Sequence, residues 1–88
     1  MQSDIMRALL YPLTTEKALN AIEKHNTISY IVDMRVGKKQ IKEEFENIFK
    51  VKTERINTTT TMNNTKKAYI KIKKEYKASD IARKLKLV

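Results

Sequence analysis

Cysteine is absent from this 88-residue sequence, and so is tryptophan. Without a thiol there is no disulfide staple, no thiolate metal site and no cysteine nucleophile. The single glycine, Gly37, excludes the glycine-rich phosphate loops of Walker and dinucleotide type. With one proline, Pro12, as its companion, it leaves little material for flexible linkers, and no internal repeat is visible. His25 is the only histidine. A surface histidine in the last turn of a helix describes it better than a catalytic residue or a metal ligand, since imidazole sites need further donors. Neither a metal nor a cofactor is expected. The N-terminal run from Met6 to Tyr11 is short, and no long amphipathic helix appears. The sequence therefore predicts no signal peptide and no membrane insertion, and a soluble intracellular protein is expected.

Acidic residues are also scarce. There are 19 Lys+Arg against 10 Asp+Glu, a formal net charge of +9. Solubility needs far less, so a polyanionic partner is the leading explanation. A chain of this length buries roughly 60–65% of its unfolded surface, enough for one core. One domain over residues 1–88 is expected, with no homo-oligomer.

The stretch Lys66 to Lys77 carries most of the information. Ala68, Ile70 and Ile72 alternate with Lys67, Tyr69, Lys71 and Lys73, the period of a half-buried strand. One face can enter a core while the other aligns cations around an aromatic ring, which suits phosphates and an unpaired base. The same pattern suits an ordinary solvated strand whose lysines discourage edge-to-edge pairing.

Upstream, Pro12 biases Tyr11 towards an extended conformation, so a first strand ends there. Thr14 or Thr15 can cap a helix with Glu16 in its first turn and Ala18, Leu19 and Ile22 as its apolar stripe, ending near His25-Asn26. Residues 28–35 alternate as a second strand, with Ile31 breaking the polar face. Gly37 leads into a helix over 38–50, where Ile41, Phe45, Ile48 and Phe49 form the stripe. The opposite face, including Glu43 and Glu46, reads as solvent-facing surface, and Glu43, Glu44 and Glu46 read as surface i,i+4 partners of nearby lysines. Val51 to Met62 is extended, with a bulge near Glu54-Arg55, and Met62 to Thr65 makes the hairpin turn. Ser79 or Asp80 caps a last helix with Ile81, Ala82 and Leu85 inward. The order is β-α-β-α-β-β-α, an α+β fold with a mainly antiparallel sheet and helices packed on it.

No catalytic constellation is present, because the serines and threonines lack a base and orienting partner. Candidate nucleic-acid ligands form three groups. Arg7, Tyr11, Thr14, Thr15 and Lys17 surround the entry to the first helix. Lys38 and Lys39 begin the second. Arg55 and Asn57 accompany Lys66, Lys67, Tyr69, Lys71 and Lys73 on the hairpin.

The segment Tyr11-Pro12-Leu13-Thr14-Thr15-Glu16-Lys17-Ala18 is similar to the opening motif of the universal large-subunit ribosomal protein family called L-twenty-three. The likeness continues, in order, through Asn26-Thr27-Ile28, Lys38 with Ile41, Phe49-Lys50-Val51, Ile56-Asn57-Thr58 and Lys66-Lys67-Ala68-Tyr69-Ile70. The resemblance implies a four-stranded antiparallel sheet and a place in the cytoplasmic ribosome. It implies binding to large-subunit ribosomal RNA near the nascent-peptide tunnel exit, beside other ribosomal proteins. Signal recognition particle and other nascent-chain factors would dock there. Carried over by position, Pro12, Thr15, Lys17, Lys38, Asn57, Lys66, Lys67 and Tyr69 would face RNA, and Glu16 would point towards docking factors. The tight turn at Met62 to Thr65 leaves no room for the long hairpin of bacterial members, and the basic N-terminal extension common in eukaryotic members is missing, so the pattern resembles the archaeal form. If six of the candidate cations each met a phosphate, log K would fall with log salt at a slope of roughly −4 to −5. Two other readings are a free-standing RNA-binding module and a small phosphatase of ferredoxin-like architecture. The latter would use Arg35 as an anion cradle with Asn57 beside it.

Overall fold

The alternation along Lys66–Ile72 is that of a strand: Ala68, Ile70 and Ile72 are buried, and Tyr69 between them is exposed. The computed structural model describes residues 8–85. Its elements are β1 (Leu9–Pro12), α1 (Glu16–His25), β2 (Thr27–Val32), α2 (Lys38–Phe49), β3 (Thr53–Thr60), β4 (Lys66–Ile72) and α3 (Ala78–Lys84). The expected element order holds. The strands form one antiparallel sheet in the order β1-β2-β4-β3.

One side of the sheet carries the core. Ile28, Tyr30 and Val32 of β2, Ile56 of β3 and the β4 apolar residues meet Ile22 of α1, Ile41, Phe45 and Phe49 of α2, and Ile81 and Ala82 of α3. Each fully buried Ile or Phe stabilises the fold by roughly 1.5–3 kcal/mol relative to exposure. Phe45 sits at the centre, edge-on to Tyr30 at 6.5 Å and tilted against Phe49 at 4.7 Å between ring centroids. Ile48, expected in the α2 stripe, is instead 56% exposed. The buried positions are Ile41, Phe45 and Phe49, a strict i, i+4, i+8 line centred on Phe45, and Ile48 lies beside it, about 60° round the helix from that centre.

Two bulges redirect the edge strands. Leu9 pairs with Val32 but Tyr11 pairs with Ile31, and Thr53 pairs with Ile72 but Arg55 with Lys71. Residues two apart on a regular strand share a face. The extra residue in each bulge therefore turns Tyr11 and Arg55 away from the core side, where Leu9 and Thr53 point. The second bulge lies where the irregular apolar register places it.

Carboxylates of α2 fasten the sheet edges. Glu44 accepts the amides of Ala8 and Leu9, both at 2.9 Å. Glu46 accepts the Thr53 amide at 2.8 Å and its hydroxyl at 3.0 Å. The expectation that these were surface i,i+4 partners is corrected: both serve as acceptors for backbone donors at strand starts. The expected cap of α3 is also corrected. Lys77 occupies the N-cap without a side-chain bond, and the Ala78 amide donates to Asn26 Oδ1 at 2.7 Å. Ile81 and Ala82 are buried, and Leu85 packs partly buried against the core.

Candidate nucleic-acid interface

The sheet side opposite the core is built from cross-strand rows. Tyr11, Ile31, Lys67 and Thr59 form one; Ser29, Tyr69 and Asn57 the next; Thr27, Lys71 and Arg55 the third. Directly paired residues share a face, so each row presents its side chains together. Ile31 and Ser29 are buried, as the break in the polar pattern of β2 requires, whereas Tyr11 is 53% exposed.

Helix α1 borders this face. Thr15 caps it, its hydroxyl accepting the Ala18 amide at 3.2 Å, and Asn26 closes it in the left-handed region at φ 51°. Glu16 at its start and Lys24 and His25 at its end complement the helix dipole. Ala18 and Ile22 are buried. The neighbouring stripe of Lys17, Ala21, Lys24 and His25 lines a cleft of ≈ 570 Å3 against Lys67 and Tyr69. A second hollow of ≈ 350 Å3 continues from Ala21, His25 and Tyr69 to Arg55, Asn57 and Lys71. Together they make one groove from the α1 N-terminus across the sheet. Among the described residues its lining contains no carboxylate. Of its cations only Lys71 has an acidic partner among them, Glu54 at 4.0 Å with both side chains 43% exposed, a weak surface pair.

The groove gathers Thr15, Lys17, Arg55, Asn57, Lys67, Tyr69 and Lys71, and Tyr11 lies on the same face one row away. Other candidates stand elsewhere. Lys66 pairs with Val32 on the core side and its ammonium donates to the Val36 carbonyl at 2.7 Å. Pro12 pairs with Tyr30, also on the core side. Lys38 and Lys39 line a separate hollow beside Lys42 and β3. Lys73 follows the end of β4, where its amide bonds the Lys52 carbonyl. Thr14 and Glu16 are exposed at the entry to α1, outside the lining. Arg7 lies outside the described residues.

Sequence reasoning passed over Asn20, Lys24, His25 and Ser29. The signal for the helical ones was the spacing Lys17, Asn20, Ala21, Lys24, a small-and-basic stripe at helical period beside the apolar one. The phosphatase alternative loses its anion cradle. Asp33 engages the Arg35 guanidinium at 3.1 and 3.2 Å and also accepts the Arg35 amide. Those bonds from Arg35 hold the Asp33 carboxyl below the usual carboxylate range.

A model of the family described as Ribosomal protein L23 matches residues 7–81. The chain belongs to that family. Large ribosomal subunit protein uL23 of Trypanosoma brucei brucei is 44% identical over 85 residues, an alignment covering 97% of this chain and 52% of that protein. The chain thus spans about half the length of that relative. The family is one of ribosomal proteins. The matched span takes in every element from β1 to the first half of α3, and with them all three rows and the whole groove.

Proposed function

We propose that the chain is a structural constituent of the large subunit of the cytoplasmic ribosome and holds large-subunit ribosomal RNA on the open sheet face and the groove beside α1. The observation that carries this reading is the joining of family membership to a face whose cations, among the described residues, stand almost without carboxylates. Phosphate contacts supply affinity and register, and Tyr69 and Tyr11 offer ring faces to unstacked bases. Lys17, Lys24, Arg55, Lys67 and Lys71, each meeting a phosphate, give a slope of log K against log salt of roughly −3.5 to −4.5.

The family resemblance supports a place near the tunnel exit, next to other ribosomal proteins, with Glu16 exposed towards signal recognition particle and nascent-chain factors. The tight turn at Thr61 to Thr65, where Asn64 takes φ 60°, supports the short-hairpin, archaeal-type form.

The experiment is a salt-titrated binding assay against large-subunit ribosomal RNA fragments with an unrelated structured RNA as competitor. One fragment should resist the competitor and show the slope above. Lys67→Glu combined with Lys71→Glu should weaken it with unchanged circular dichroism, since both side chains lie on the open face. Equal, salt-labile binding to every RNA would instead leave a generic basic module, and a slope near zero would refute an electrostatic RNA site.

A further inference from the structure

We propose that the cleft between α1 and the open sheet face receives one unpaired RNA nucleotide, its base against Tyr69 and its phosphate between Lys67 and Lys17. The proposal rests on the RNA reading above and extends it from phosphate contacts and stacking on the open face to the capture of a single nucleotide in the cleft.

Four observations converge. The cleft, ≈ 570 Å3, falls within the range of ~300–1,000 Å3 typical of small-molecule sites. Its lining includes the small side chains of Ala18 and Ala21 of α1 and Ser29 of β2, where larger residues would fill the space. Tyr69 lies at the junction of the two hollows, paired across the sheet with Ser29 and Asn57. Neither neighbour can cover a ring, and the ring pairs among the described residues involve only Tyr30, Phe45 and Phe49. Finally, the walls combine apolar Leu13 and Ala21 with the Asn20 amide, the Ser29 hydroxyl and the His25 imidazole, backed by Lys17, Lys24 and Lys67.

A phosphate alone requires cations and leaves an apolar wall without purpose. A base requires that wall, a ring to stack on, and a few donors and acceptors at its edge. Nucleotide dimensions and charge fit both halves of the lining. An acidic peptide would find the same cations but has no planar group to stack on a partly exposed ring flanked by small residues.

The test compares the full chain with its Ala21→Leu, Tyr69→Ala and Tyr69→Phe variants against the ribosomal RNA fragment bound by wild type, across a salt series. Ala21→Leu fills the cleft and Tyr69→Ala removes the platform. Each should weaken binding by about 5- to 150-fold without changing the salt slope, because no cation is lost. Tyr69→Phe keeps the ring and should bind like wild type. Circular dichroism verifies folding, and the exposed position of Tyr69 keeps Tyr69→Ala informative if Ala21→Leu does not fold. A 2-aminopurine placed at successive unpaired positions should report one nucleotide whose emission changes with wild type and not with Tyr69→Ala. If wild type binds the fragment and both truncating and filling variants bind equally well, the cleft is empty in the complex and only the RNA reading survives. Loss with Tyr69→Ala but not with a folded Ala21→Leu would place the base on the open face and overturn the cleft assignment. An acidic peptide that binds wild type but not Ala21→Leu, with RNA binding untouched, would reassign the cleft to a protein partner. No RNA binding by wild type would overturn both proposals.

Discussion

Asn26 is a single side chain on which three elements depend, and its replacement has a loss that can be worked out contact by contact. Its Nδ2 donates to the carbonyls of Ile72 at 2.9 Å and Tyr76 at 3.0 Å, and its Oδ1 accepts the Ala78 amide at 2.7 Å. The end of β4, the turn after it and the start of α3 are thereby fixed to the C-cap of α1. Three net hydrogen bonds at about 0.5–1.5 kcal/mol each give roughly 1.5–4.5 kcal/mol. Asn26 also holds φ 51°, a conformation that Asn tolerates but that disfavours alanine by about 1–2 kcal/mol. Asn26→Ala should therefore lose about 3–5 kcal/mol in urea denaturation, lowering Tm by on the order of 15–30 °C for a domain of this size. Asn26→Gly relieves the backbone and keeps none of the bonds, so it should fall between wild type and alanine. Asn26→Asp tolerates the same φ and keeps the acceptor for Ala78, yet turns a carboxylate oxygen towards two carbonyls. It should also be clearly destabilised. An Asn26→Ala variant losing less than about 1 kcal/mol, or an aspartate variant as stable as wild type, would refute this account of the tie.

Phe45→Ala should lose about 3–5 kcal/mol in the same assay, since it removes the fully buried ring between Tyr30 and Phe49; a smaller loss would mean the α2 line does not close the core. Burial raises the Glu46 carboxyl, but the bonds from Thr53 and the nearby Lys42 and Lys52 outweigh it and leave its pKa below the ordinary value. The folded chain then binds fewer protons than the unfolded chain in that range. Stability from Glu46 is present above the ordinary carboxylate pKa of ~4.3 and is lost as pH falls through the lower folded value, so Glu46→Gln should flatten the acid side of a stability–pH profile. Lys66 and Lys67 are adjacent in sequence and on opposite sides of the sheet. Lys67→Ala should reduce the RNA salt slope by about one, whereas Lys66→Ala should leave the slope unchanged and reduce thermal stability.

The elements were legible wherever one period ruled. Ala68, Ile70 and Ile72 announce β4, and Ile41, Phe45 and Phe49 announce the buried line of α2, because burial on one side of a regular element repeats at that element's own period. Ile48 misled because an apolar residue next to that line is indistinguishable from a member of it until the sheet is in place. Glu44 and Glu46 misled for a related reason. Their acceptors serve amides of Ala8, Leu9 and Thr53 on other elements, and helix spacing carries no record of such partners. Asn26 was visible as a helix stop, since Asn tolerates the left-handed region, but its bonds span 46 to 52 residues of sequence.

The groove shows why a face is harder to read than a strand. Lysine alternation placed Lys67, Tyr69 and Lys71 together correctly, yet counting by twos would have sent Tyr11 and Arg55 to the core side with Leu9 and Thr53. Only the two bulges bring them across, and a bulge is a property of the paired partner as much as of the strand that carries it. Lys66 is the converse, a lysine in a basic run that alternation itself assigns to the core side and whose ammonium donates there to the Val36 carbonyl. Charge density along the chain therefore overstates the face at Lys66 and understates it at α1, whose Lys24 and His25 reach it only because Ala18, Ala21 and Ser29 are small enough to leave the cleft open. The proposed interface is thus set as much by those small residues and by the two extra residues in the edge strands as by the cations themselves.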